Sequence, residues 1–301
     1  MKNMNKYENC LLCPRKCGIN RSTGQTGVCG VSSEIKVARA ALHYWEEPCI
    51  SGKRGSGAVF FSGCSLHCVF CQNRKISDGK AGKLISKERL SDIFMELADK
   101  GANNINLVTP GQYIPDIVWA INDAKSRGMK LPIIYNTSGY ENVTELKLLE
   151  GIVDAYLPDF KYMDSTLSAR YSRAKDYPSV AKQALSEMVR QQPDVVIDDA
   201  TGLIQKGVIV RQLLLPGHVN DAKDVLKYLY DTYHDHVYIS LMSQFTPIAL
   251  KDYPEINRTV TRREYERLVD YALEIGITNA FIQEGDVAKD SFIPAFDCEG
   301  V

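Results

Sequence analysis

From Ala58 to Ile282 the sequence alternates short apolar runs with longer stretches whose apolar residues recur every three or four positions. The runs 58–62, 104–109, 132–136, 152–159, 207–215, 236–242 and 277–282 read as strands. Between them 86–100, 114–127, 142–150, 179–192, 220–233 and 261–275 read as helices. Strands that take turns with helices pair in parallel through right-handed crossovers. The expected fold is therefore α/β, a partial (β/α) TIM-like barrel with a small cysteine-rich module in front of it. Asp221 and Thr261 are expected helix-start caps, and Gly128 and Gly276 stand where helices should stop. In such barrels chemistry gathers at the C-terminal ends of the strands.

The glycine-rich stretch SGKRGSG at 51–57 marks a boundary, preceded by one β-type run at 35–42. The expected division is a module over 1–52, a barrel over 53–285 and a tail over 286–301. Lysine and arginine total 36 against 37 aspartate and glutamate. That balance gives no electrostatic reason to expect nucleic acid or an anionic membrane as partner. No run approaches the ~18 apolar residues of a membrane span, and the opening MKNMNKYENC has no apolar core of a signal peptide. A cytoplasmic location is expected, where thiols stay reduced and nine cysteines argue for metal ligation over disulfides.

Seven of the nine cysteines fall into two groups. Cys64, Cys68 and Cys71 follow the first strand as GCSLHCVFCQNR. Three thiolates on one loop hold three irons of a cubane cluster, and the fourth iron is left without a protein ligand, open to a substrate. A zinc site completed from elsewhere, or a cluster completed by Cys49 or Cys298, are the structural alternatives. The other group, Cys10, Cys13, Cys17 and Cys29, has four thiols and no spare position. It reads as a closed site for either zinc or an auxiliary 4Fe-4S cluster, with Gly18, Gly24, Gly27 and Gly30 supplying tight turns. Cys49 and Cys298 otherwise read as packing residues.

The triplet resembles the cluster loop of the radical S-adenosylmethionine (SAM) superfamily, C-x3-C-x-aromatic-C, with Phe70 at the aromatic position. More closely it is similar to the loop of pyruvate formate-lyase activating enzymes, which also continue with Asn, here Asn73. Asp159-Phe160-Lys161 resembles their Asp-Leu-Lys segment. VRQLLLPGH at 210–218 resembles a further strand, with Arg211 and Gly217 in register, and LMSQFTP at 241–247 their last sheet position. The N-terminal CxxCPxxC followed by GxCG marks a cysteine-rich subfamily. One departure is plain: where the family places Gly-Gly-Glu to receive the SAM amino group, this chain has NLVTPGQY at 106–113. Neutral acceptors, the Thr109 hydroxyl, a backbone carbonyl or the Gln112 amide, would have to serve.

The resemblance implies a 4Fe-4S cluster and SAM as cofactors, and reductive cleavage of SAM to methionine and a 5'-deoxyadenosyl radical. It implies further that the radical activates a glycyl-radical enzyme by taking hydrogen from a glycine, with flavodoxin or ferredoxin as electron donor. Lys161 is then expected at the SAM carboxylate, and Asp159 at a ribose hydroxyl or orienting Lys161. Asn136, Thr137 and Ser138 are placed for ribose or adenine, although short polar groups at strand ends also cap helices. Arg211 is expected at the site, or as a buried charge with a carboxylate partner. His218 either faces the substrate or is solvated, and His67 is expected exposed or just behind the ligands. A radical enzyme acting on a small molecule or another protein is the rival within enzymes. A non-catalytic iron-sulfur or zinc redox sensor is the rival outside them.

Overall fold

A computed structural model describes residues 6–248, 250–283 and 294–301. Its strands are β1 (Ile35–His43), β2 (Ser56–Phe61), β3 (Lys83–Ile85), β4 (Ile105–Val108), β5 (Ile133–Thr137), β6 (Ala155–Pro158), β7 (Val196–Ile197), β8 (Ile204–Leu213), β9 (Tyr238–Met242) and β10 (Ala280–Ile282). They run across one sheet in the order β10-β9-β8-β6-β5-β4-β2-β1-β3, with β7 added to β8. Each step from β2 through β4, β5, β6, β8 and β9 to β10 is parallel. β1 and β3 are antiparallel additions at one side. Among the described residues the sheet ends at β3 and β10 without hydrogen bonds between them, so the barrel is partial.

Period two assigns the faces of each parallel strand. Val59, Phe61, Leu107, Ile133, Tyr135, Tyr156, Val208 and Val210 point outward into the main core. Helices 87–99, 114–126, 177–191, 219–233 and 262–274 cover this convex face. Their ends carry the expected chemistry. Thr261 closes a full capping box with Glu264, a device worth about 1 kcal/mol. Gly128 and Gly276 follow helix ends at φ of 102° and 94°, where a side chain would be strained. Asp221 is not a cap: it lies inside the first turn, and its carboxylate accepts from the Met163 and Asp164 amides.

The concave face is filled differently at its two ends. At the N-terminal ends of the strands a short helix, Pro48–Ser51, follows β1 and plugs the interior. Cys49 and Ile50 bury there against Ile134, Ala155, Leu157, Ile204 and Ile209, so Cys49 is a packing residue. Asn103 and Asn104 fasten the plug by donating to the Ser51 and Ile50 carbonyls at 2.6 and 2.8 Å. The stretch 51–57 thus joins two paired strands of one sheet, Val37 to His43 facing Phe61 to Ser56, and residues 35–43 of the expected module are part of the barrel. Cys298 donates to the Ala38 carbonyl and Glu299 accepts from Ala40, which lays residues 294–301 beside β1. The expected barrel end and tail over 284–293 lie outside the described residues.

Candidate active site

At the opposite, C-terminal end of the parallel strands the concave face holds a cavity of about 260 Å³. Cys64, Cys68 and Cys71 line it from the loop after β2, together with Phe70 and Asn73. Burial raises the thiol pKa of all three, that of Cys71 to about 12, with neighbouring thiols adding to the effect at Cys64 and Cys71. Such thiols stay protonated until a cation makes the thiolate worthwhile. Packing fixes the loop: Phe70 lies 5.7 Å from the Phe245 ring, and Gln72 donates to the Gln244 carbonyl at 2.9 Å. The Ser172 hydroxyl donates to Cys68 Sγ at 2.9 Å and is itself paired with the Tyr162 hydroxyl at 2.8 Å. His67 stands behind the ligands, its Nε2 2.5 Å from the Val28 carbonyl.

Across the cavity the other strand ends contribute Thr109, Asn136, Thr137, Ser138, Asp159, Lys161 and Arg211. Lys161 Nζ meets Asp159 Oδ2 at 2.5 Å. Burial works against the Lys161 ammonium, but Asp159 and the Cys68 sulfur outweigh it and hold the pKa above the usual lysine value. Arg211 is gripped by two carboxylates from the loop after β1. Its Nε and Nη2 donate to Glu47 at 2.8 and 2.7 Å, and its Nη2 also pairs with Glu46. Asn106 adds a donor to Glu46 at 3.1 Å. Burial alone would raise the Glu47 pKa, and Arg211 more than reverses this. Arg211 therefore reaches the cavity wall with its charge already answered, and one carboxylate remains in excess beside it.

The two candidate acceptors for an ammonium part company. Thr109 faces the cavity and has φ of 56°, a strained value for a β-branched residue. Gln112 lies instead at a second, smaller pocket, and its side-chain amide donates to the carbonyls of Ser62, Gly63 and Thr109 at 2.9, 3.1 and 2.9 Å. Those three bonds anchor the turn and hold the side chain in the second pocket, so Gln112 does not line the main cavity as an acceptor for an ammonium. His218 also stays off the cavity, stacking edge-on against Tyr171 with its Nε2 3.0 Å from the Tyr171 hydroxyl.

That second pocket gathers Cys10, Cys13, Cys17 and Cys29 with Arg21 and Glu141, and it shares Thr109 and Ser138 with the main cavity. Burial pushes the Cys13 thiol up to about 12 and raises Cys29. Arg21, a residue sequence reasoning passed over, is almost fully buried. Its guanidinium stacks over Tyr7 and Tyr113 at 5.0 and 5.6 Å, donates to the Gln112 carbonyl at 2.8 Å, and reaches Cys10 Sγ at 3.7 Å. Among the described residues no three His, Cys, Asp or Glu side chains stand close enough to hold a single metal ion.

Residues 58–204 match the family described as Radical SAM superfamily. The chain carries a radical SAM domain. A domain of this family binds a 4Fe-4S cluster and SAM, and the three thiols around one cavity suit that pairing chemically. The uncharacterized protein MJ0674 of Methanocaldococcus jannaschii is 28% identical over 276 residues, covering 89% of this chain and 75% of that one. Among solved structures, Streptococcus suis SuiB bound to S-adenosylmethionine is similar at TM-score 0.50 and 12% identity, over 74% of this chain. The match spans 49% of SuiB, so the likeness concerns the radical SAM fold and about half of that protein. A domain of pyruvate-formate lyase-activating enzyme from Bacteroides vulgatus aligns at TM-score 0.41 and 13% identity, over 57% of this chain and 91% of that one. In the described residues no helix is long and apolar enough to cross a membrane.

Proposed function

We propose that this protein cleaves SAM reductively and uses the radical so formed to take hydrogen from a glycine of a partner enzyme. The observation that carries the first half is the cavity: three cysteines of one loop line it, no other cysteine among the described residues does, and strand-end polar groups face them. Cys64, Cys68 and Cys71 would hold a 4Fe-4S cluster, and Ser172 would steady the Cys68 sulfur. When bound, that cluster supplies the electron that splits SAM into methionine and a 5'-deoxyadenosyl radical, at the one iron left open by the protein. The chain's own part is positioning and dryness. Lys161, held by Asp159, meets the SAM carboxylate. Thr109 with Ser138 offers neutral acceptors to the amino group, and Asn136 and Thr137 face the nucleoside. Phe70, Phe245 and Leu66 give the cavity apolar walls that keep water from a radical.

The second half rests on sequence: GCSLHCVFCQNR, Asp159 to Lys161 and Arg211 are where activating enzymes carry similar residues. In that step the glycine Cα hydrogen passes to the 5' carbon and leaves the unpaired electron on glycine. A flavodoxin or ferredoxin would supply the electron. Anaerobic reconstitution with iron and sulfide, followed by dithionite and SAM, tests the first half. Methionine and 5'-deoxyadenosine should form with the native chain, and failure to exceed a Cys68→Ala control would sink it. Deuterium carried from a Cα-deuterated glycyl peptide into 5'-deoxyadenosine tests the second, and label arriving only from a small molecule would replace it.

A further inference from the structure

Resting on the SAM-cleaving reading of the triplet, we propose that Tyr177, which does not itself line the cavity, is a positioning residue that sets Lys161 against the SAM carboxylate. Its side chain is fully buried at the start of helix 177–191. The hydroxyl meets three backbone groups: it accepts from the Lys161 amide at 3.0 Å and donates toward the carbonyls of Ser138 and Asp159 at 2.9 and 3.0 Å. A hydroxyl has one proton and two lone pairs, so the two carbonyls share that proton. Burial raises the pKa of Tyr177, which keeps the proton in place. A buried tyrosine hydroxyl ordinarily finds some partner. What sets this one apart is whose backbone it holds, for Ser138, Asp159 and Lys161 all line the cavity.

The contacts fall where the sheet stops holding these residues. β5 and β6 pair as far as Thr137 and Pro158, and the Asp159 amide donates to the Thr137 carbonyl at 2.8 Å. The next amide, that of Phe160, crosses to the Arg211 carbonyl of β8 at 2.9 Å. Lys161 follows that crossing, and the Tyr177 hydroxyl takes its amide where the strand pairing has ended. One hydroxyl thus holds both ends of the segment from Asp159 to Lys161, so the Lys161 stem leaves a fixed backbone and its ammonium meets Asp159. Glycine makes room for this. Gly139 follows Ser138 with φ of 76°, and a Cβ there would overlap the Asp159 carbonyl oxygen and stand 3.2 Å from the Tyr177 hydroxyl. Aromatic packing fixes the ring. Tyr140 stacks on Tyr177 at 6.1 Å and donates to Asp176 Oδ1 at 2.8 Å, while Tyr162 meets Tyr177 edge-on at 5.4 Å. A ring so held gives its hydroxyl a fixed place, and a misplacement of about 1 Å at a substrate contact is costly.

Calorimetry on protein reconstituted anaerobically with iron and sulfide compares SAM affinity in four chains: native, Tyr177→Phe, Lys161→Met and the two changes together. Tyr177→Phe should weaken SAM binding about fivefold in the native background. Once Lys161 is Met, the same change should cost less than about twofold. An equal loss in both backgrounds overturns the inference, since the hydroxyl then acts on the fold and not through Lys161. An unchanged affinity in Tyr177→Phe overturns it as well. Binding of 5'-methylthioadenosine, which has the nucleoside and no carboxylate, should change less than about twofold in Tyr177→Phe, and a loss equal to that for SAM overturns the inference. If Tyr177→Phe does not fold, hydrogen exchange on the native chain decides. The Lys161 amide should exchange slowly and gain at least about tenfold in protection when SAM is added. Fast exchange, or no gain with SAM bound, overturns the inference. A native chain that neither binds nor cleaves SAM overturns the SAM-cleaving reading and this inference with it, a result seen before any variant is compared.

Discussion

The two cysteine groups differ in what stands next to them. The triplet has its three thiols on eight residues of one loop, and its remaining side is a cavity lined by Thr109, Asn136, Ser138 and Lys161. The quartet spreads over twenty residues, and its remaining sides are Arg21, Gly27, Ile19 and Glu141 pressed close. One group has three thiols and faces space, while the other has four and faces protein. Thiol number and the volume left beside it together separate a site that takes a substrate from one that does not.

Changes on each side should break this contrast in opposite ways. The largest effect is expected from Cys71→Ala, which should lower 5'-deoxyadenosine formation at least about a thousandfold, measured by chromatography after dithionite reduction. Appreciable turnover would mean that the triplet is not the reacting centre. Next comes Arg21→Ala, on the closed side. Removing a buried guanidinium that bridges Gln112, Val31 and Ser32 should cost about 3 kcal/mol in denaturant unfolding. A loss of SAM binding without a loss of stability would assign Arg21 to the open site.

Lys161→Met should weaken SAM binding about tenfold, about 1.4 kcal/mol, by calorimetry on the reconstituted protein. An unchanged affinity would leave the Lys161–Asp159 pair as structure alone. The smallest effect is expected from Ser172→Ala, which removes one hydroxyl donor to Cys68 worth about 1 kcal/mol. It should appear as a more negative reduction potential of the triplet cluster, since the donor favours the more negative, reduced form. No shift would mean that the hydroxyl turns away once iron is bound.

Much of this was legible in the sequence, for identifiable reasons. Apolar periodicity located the seven parallel strands and the covering helices because each buries one continuous face. It passed over β3, β7 and helix 165–172, which are short or bury few residues. The two cysteine groups were legible because spacing alone brings their members together. Arg211 stood in an apolar strand, which demanded a carboxylate partner. Nothing local pointed to Glu46 and Glu47, more than 160 positions away in a loop without periodicity. Arg21 was missed for the same reason, and Gln112 was placed in the wrong pocket because a side chain's direction after a strand end is set by the turn. The strained Thr109-Pro110 turn aims it backward, onto carbonyls.

The pairing of Arg211 with both Glu46 and Glu47 leaves two carboxylates against one guanidinium on the cavity side of the barrel. A sulfonium carries a permanent positive charge that no change of pH removes. If SAM is the occupant, this uneven trio attracts the intact molecule more than the fragments it becomes, since cleavage erases that charge. Attraction that ends with the reaction eases release: the spent nucleoside and amino acid are held less firmly than the reactant, and the cavity clears itself.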